Sequence, residues 1–182
     1  MCIVLLLAAP VSAATKWYVV VRGVEDADGV HSGIREEALR VFTDELKKHP
    51  ELTLEAPPGL PTEPEALEKA LVAKKLKALE LNLRILAVSQ EVSAPGPGKR
   101  FRTLMRGIKL SVFGDSLPEK VMAIGGNGDA TVGVEINPDA DLEKEGKPAL
   151  IDATREAVRQ AVDMTVTKLK IGDKAPKLKK KK

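Results

Sequence analysis

The sequence predicts a single α/β (α+β) domain, a two-layer or sandwich fold with a mixed sheet of about five strands and three helices. Three observations predict it. Apolar residues fall at helical spacing in three windows, and elsewhere they alternate with polar ones or run β-branched. The windows occur in the order β-α-β-α-β-β-β-α with no internal repeat. The 182-residue chain has room for one domain, with 43% hydrophobic and 30% charged residues, proportions of an ordinary globular protein rather than a disordered one.

Met1 to Ala13 precedes the first of these windows and reads as a cleavable secretory signal peptide. It has a short apolar run ended by Pro10, and Val11-Ser12-Ala13 offers the small side chains that signal peptidase needs. The run is shorter than the roughly 20 apolar residues that span a bilayer. No Lys or Arg precedes it, and the competing reading is a buried first strand. The only cysteine is Cys2, within the leader. The mature chain is therefore expected to hold no disulfide. Cys2 lies before the apolar run rather than after it, so no lipid anchor is expected.

Lys16 to Val24 is β-branched and aromatic, apolar on both sides, and is predicted as a central strand ending in the polar turn Glu25 to Gly29. Ile34 to Lys48 is an amphipathic helix, with Ile34, Ala38, Val41, Phe42 and Leu46 on one face. Ser32 is its expected cap, the acids come early and the bases late, and His49-Pro50 stops it. Glu51 to Ala56 alternates as a short strand, followed by the stiff loop Pro57 to Pro61. Thr62 and Glu65 have the spacing of a capping box that opens a second helix through about Leu76.

From Ala78 to Val92 the period changes to two, with Leu79, Leu81, Leu83 and Ile85 set against Glu80, Asn82 and Arg84. Arg100 to Phe113 alternates again, with Leu104, Ile108, Leu110 and Val112 apolar and Arg102, Arg106, Lys109 and Ser111 on the wet side. Gly114 to Pro118 reads as a turn. A further strand from Lys120 to Ile136 is expected to be interrupted at Gly125 to Asp129, giving an antiparallel meander. After the acidic loop Asn137 to Pro148, Ala149 to Lys170 is the strongest helix. Its stripe of Leu150, Ile151, Thr154, Ala157, Val158, Ala161, Val162, Thr165, Val166 and Leu169 is broad, and Ile171-Gly172 ends it. The domain organisation is thus 1–13 leader, 14–171 domain and 172–182 disordered lysine-rich tail.

No catalytic, cofactor-binding or metal-binding residues are predicted, and no cofactor. His31 and His49 flank one helix without a second His or Cys at ligand spacing. Asp26-Ala27-Asp28-Gly29 and Asp139-Ala140-Asp141 supply too few oxygen ligands for a calcium loop and read as solvated turns. Gly125 to Asp129 precedes no helix and lacks the Lys-Ser/Thr of a phosphate cradle, so it reads as a hairpin turn or bulge. No serine stands in a nucleophile motif. Aromatics are 3% of the chain, too few for a base- or sugar-stacking platform.

Charge is the one uneven property. Lys168 to Lys182 holds eight lysines against Asp173 alone, a net +7, while the whole chain carries +3, which leaves the remainder at −4. Lys174, Lys177, Lys179, Lys180, Lys181 and Lys182 are therefore the candidate polyanion-binding residues. Their partner would be an anionic lipid surface, lipopolysaccharide or nucleic acid, with about 1 kcal/mol gained per lysine near such a surface. The alternative is a solvated tail that serves solubility.

The order of elements resembles a periplasmic α/β domain family. That family includes the soluble domain of the curli secretion channel subunit, the outer-membrane activator of penicillin-binding proteins and the amino-terminal domain of TolB. The similar parts are the leader, Trp17 to Val24, Ile34 to Lys48, the Pro-rich stretch with its helix, Ala78 to Val88, the hairpin, and Ala149 to Leu169. The resemblance implies a non-enzymatic bacterial envelope protein, periplasmic or secreted, that acts as an adaptor or assembly factor through contact with an envelope protein partner. It carries no site residues over. No membrane-spanning segment is expected once the leader is removed. Three function classes remain: the adaptor, a polyanion binder acting through the tail, and an enzyme whose site is dispersed and unrecognised.

Overall fold

The computed structural model describes residues 17–26, 32–76, 78–95, 97–98, 100–120 and 123–174. The leader, Lys16, His31 and residues 175–182 lie outside them. The elements are β1 (Trp17–Asp26), α1 (Ser32–Lys47), β2 (Leu52–Thr53), α2 (Pro64–Lys74), β3 (Ala78–Ser93), β4 (Arg102–Leu117), β5 (Ala123–Ile136) and α3 (Leu142–Lys174). This is the mixed five-stranded sheet with three helices, in the order expected.

The strands lie side by side as β2-β1-β3-β4-β5. β1 is parallel to both β2 and β3, and β3, β4 and β5 form an antiparallel meander. The chain leaves β1 to one side through α1 and crosses back to the other side through α2. Right-handed crossovers in opposite directions place two helices on opposite faces. The core divides accordingly. Ile34, Ala38, Val41, Phe42 and Leu46 of α1 and the apolar stripe of α3 bury one face, against Val19, Leu79, Leu81, Leu83, Ile85, Ile108, Leu110 and Val112. Leu67 and Leu71 of α2 cover only one end of the other face, with Ala78 and Leu117.

The structure corrects several boundaries. β1 extends to Asp26 and takes up part of the expected turn. β2 shrinks to two residues: the Thr53 hydroxyl accepts the Glu55 amide at 3.3 Å, a local bond that competes with the ladder. The capping box at Thr62 is not formed. The cap position of α2 is Glu63, without a side-chain bond, and Pro64 opens the helix, where its missing N–H costs nothing. Gly114 to Leu117 belongs to β4 and pairs with Ala78 to Leu81. Arg106 is not on the wet side: it shares the parity of Leu104, Ile108 and Leu110 and is 4% exposed.

The largest correction concerns Gly125 to Asp129, which neither turns nor interrupts β5. The glycines are there for close approach. Gly126 and Gly128 lie on the helical face, opposite Val112 and Leu110. A Cβ on Gly126 would collide with the Ala161 carbonyl and come within 2.8 Å of Thr165 Oγ1; one on Gly128 would collide with the Ala157 carbonyl. Ala157 and Ala161, one turn apart, complete a seam in which backbone meets backbone.

α3 also differs at both ends. It starts at Leu142 within the expected loop, because Asp141 Oδ1 accepts the amides of Glu143 (3.0 Å) and Lys144 (3.2 Å) and caps the helix. Pro148 lies inside the helix, past its first turn, and removes one i→i−4 backbone bond there. At the other end the helix passes Gly172 and reaches Lys174, at a helix-interior glycine cost of about 1 kcal/mol. Buried Leu169 and two anchored lysines hold this end, Lys168 on the Gly125 carbonyl at 2.7 Å and Lys170 on Glu51 at 2.7 Å.

Candidate functional site

The face of the sheet opposite α1 and α3 is the surface on which the fold collects charge. Strand alternation sends Glu80, Asn82 and Arg84 of β3 to this face, beside Lys109, Ser111 and Phe113 of β4 and Asn127, Asp129 and Thr131 of β5. Alternation also puts Arg22 of β1 on this side, two residues after Val20, which pairs with Glu80; past the irregularity between Val21 and Gly23, Glu25 pairs with Arg84.

Its charges are fixed by pairing. Arg22 meets Glu80 with both branches, Nε to Oε1 at 2.9 Å and NH2 to Oε2 at 3.3 Å. This carboxylate holds the Arg22 guanidinium above its ordinary value. Arg84 grips Glu25 Oε2 from Nε at 2.9 Å and from NH2 at 2.5 Å, and its guanidinium lies 4.8 Å from the centre of the Phe113 ring. Lys109 pairs with Asp129, directly opposite on β5, at 3.1 Å. Each exposed pair contributes about 0.2–1 kcal/mol. Together they hold the two signs of charge in a fixed pattern on a pleated surface.

A second polar group lies on the helical face, where the β3–β4 hairpin meets the start of α3. Arg106 NH1 donates to Gln90 Oε1 and, at 3.2 Å, to Glu143 Oε1. Its Nε faces no acceptor. The stem lies under Gly146, where an added Cβ would come within 3.1 Å of Arg106 Cδ. With Glu143 itself exposed, the arrangement ties the hairpin to the helix.

Two open hollows lie on the surface. One, of 510 Å³, is lined by Glu63, Pro64, Glu65, Ala66 and Lys69. The other, of 260 Å³, is lined by Val24, Arg35, Glu36 and Leu39, with Arg35 donating to the Val24 carbonyl at 3.1 Å.

Of the lysines singled out in the sequence, Lys174 is the last residue of α3. Residues 172–174, assigned to the tail in the sequence, are thus the last residues of α3. Lys177, Lys179, Lys180, Lys181 and Lys182 lie outside the described residues, as does the side chain of Lys174. His49 Nε2 stands 3.5 Å from Asp163 Oδ1. Asp26 ends β1, and Asp141 is a helix cap. Among the described residues no group of three or more His, Cys, Asp or Glu is placed to hold a metal, and no helix is long and apolar enough to cross a membrane. The paired charges of the open face were missed in the sequence. Their signal was present in the polar parity of Glu80, Arg84 and Lys109, but the partners come from strands distant in the chain.

No protein-family model matches the chain, and no curated protein matches it. Solved structures do show likeness. A hypothetical protein from Chlamydia trachomatis aligns at 13% identity and a TM-score of 0.41, covering 87% of this chain and 96% of that one. The rare lipoprotein B from Shewanella oneidensis aligns at 12% identity and 0.38, covering 84% and 95%. A minor lipoprotein from Acinetobacter baumannii aligns at 9% identity and 0.41, covering 85% and 95%. Two of the three are lipoproteins. Likeness at these scores carries no function from one chain to another.

Proposed function

We propose that this chain is an exported, non-enzymatic adaptor of a bacterial envelope, periplasmic or secreted, acting through contact with an envelope protein. The observation that supports it is the open sheet face. Arg22–Glu80, Glu25–Arg84 and Lys109–Asp129 present paired charges on this side of the sheet beside Phe113. Fixed charges of both signs favour the register of one partner and disfavour others. The leader read from Met1 to Ala13 supports export.

The test is capture from envelope fractions with a short crosslinker, comparing the native chain with Arg84→Glu/Lys109→Glu. A defined partner retained by the native chain and lost by the folded variant supports the reading. No defined partner, or equal capture by both, overturns it. Mass spectrometry of the exported protein is expected to find its amino terminus at Ala14.

A second reading is a polyanion binder acting through the tail. Lys168 and Lys170 are held by Gly125 and Glu51, so this role falls to Lys174 and the lysines beyond it. Deleting Lys174 to Lys182 is then expected to abolish salt-sensitive retention on heparin and on anionic vesicles. Unchanged retention overturns it.

A further inference from the structure

β5 forms one edge of the sheet over 14 residues. In an antiparallel ladder alternate residues turn their backbone groups to opposite sides. The set that faces outward is identified by what α3 does to it: Lys168 Nζ donates to the Gly125 carbonyl at 2.7 Å, and Gln160 Oε1 accepts the Asp129 amide at 3.3 Å. Continuing the alternation, Thr131, Gly133 and Glu135 present their amides and carbonyls outward. All three residues are exposed, and no backbone bond beyond the β4 ladder joins them to another described residue. The helix thus closes the first half of the edge and leaves the second half open.

We propose that this open half pairs with the same segment of a second copy of the chain, antiparallel, about a two-fold axis through Gly133. The segment is complementary to itself in this register. Gly133 meets Gly133, and Thr131 meets Glu135 twice, so no like charges stand opposite each other. On the helical side, the half-buried Val132 and Val134 each meet the other valine of the second copy, a β-branched pair of the kind that stabilises sheets. Ala130 meets Ile136. About six backbone hydrogen bonds form, and the two sheets become one of ten strands. A register displaced toward Gly125 would have to remove Lys168 and Gln160 from the edge, which restricts the pairing to this half. Such an isologous contact closes on itself as a dimer and does not propagate.

The full chain is tested by sedimentation equilibrium from about 1 µM to about 1 mM, beside Thr131→Pro and Val134→Lys. Proline at 131 removes an outward N–H and leaves the β4 ladder intact. Lysine at 134 sets a charge against Val132 of the second copy. The expected result is a monomer–dimer equilibrium in the native chain, weakened at least tenfold in each variant, with unchanged circular dichroism. If Thr131→Pro does not fold, Val134→Lys decides alone. A native chain that stays monomeric, one that forms larger assemblies, or equal association of native and folded variants overturns the proposal.

Discussion

The seam between α3 and β5 and the far half of the β3–β4 hairpin use the same antiparallel sheet in opposite ways. At the seam, Gly126 and Gly128 remove side chains from the strand, and Ala157 and Ala161 keep them short on the helix, so the two backbones touch. In the far half of β3, past the irregularity between Ile85 and Ala87, pairing with β1 ends and Ala87 to Glu91 are exposed without interruption. Leu86 is 49% exposed and Val88 36%. One region has no room for a methyl group, whereas in the other Leu86 and Val88 reach solvent. Packing density, rather than secondary structure, separates them.

The largest effect is expected at the seam. Gly128→Val would put a branched side chain where the Ala157 carbonyl stands, and neither backbone can move without opening the α3 core. The expected loss exceeds about 3 kcal/mol in urea denaturation. A loss below about 1 kcal/mol would show that the helix rides loosely on β5.

Arg106 stands at the junction of the two regions. Arg106→Ala removes the stem packed under Gly146 and both bonds of the guanidinium, at an expected cost of about 2–3 kcal/mol. Arg106→Met keeps most of the volume and removes the buried charge, and is expected to lie within about 1 kcal/mol of the native chain. Equal losses in the two variants would mean that the charge matters more than the packing.

A pH effect is expected where α1 meets α3. Glu37 lies between Arg40 at 2.6 Å and Arg155 of α3 at 3.4 Å. The hydrogen bond from Arg40 is the main cause that lowers its carboxyl from the ordinary 4.5, with Arg155 adding to it. A lowered folded pKa stabilises the protein above the unfolded value, and this contribution is lost as pH falls through the folded one. Glu37→Gln is therefore expected to destabilise at neutral pH and to make the decline in acid shallower. Denaturation midpoints across that range, compared with the native chain, check it.

The smallest effect belongs to the hairpin. Leu86→Ser and Val88→Thr are expected to change stability by less than about 0.5 kcal/mol, measured by the same denaturation. A larger loss would mean that another surface covers this strand.

Much of the fold was legible in the sequence, because a half-buried element writes its period into its residues. The face of α1 and the alternation of β3 appear in the structure as read, and so does the stripe of α3, except that Ile151 is only half-buried and Ala153, not read as part of it, is buried. Arg106 was legible too, by parity, but a charged residue was assigned to the wet side despite it. Gly125 to Asp129 could not be read correctly in isolation: a glycine run that admits a helix backbone and one that makes a turn have the same composition. The helix start at Asp141 was hidden by Gly146 and Pro148, two residues that locally oppose a helix. Of the candidate surfaces, the lysine tail was visible as composition, whereas the open sheet face was not.

The sequence by itself determined the elements, their order and the division into a mixed sheet with helices, since local periodicity and turn chemistry act over a few residues. Tertiary structure alone decided which face stays open, which edge α3 closes, and which charges meet. Arg22 and Glu80 are 58 residues apart, and Glu25 and Arg84 are 59 apart. Only the parallel pairing of β1 with β3, set by the crossover of the chain, brings them within reach.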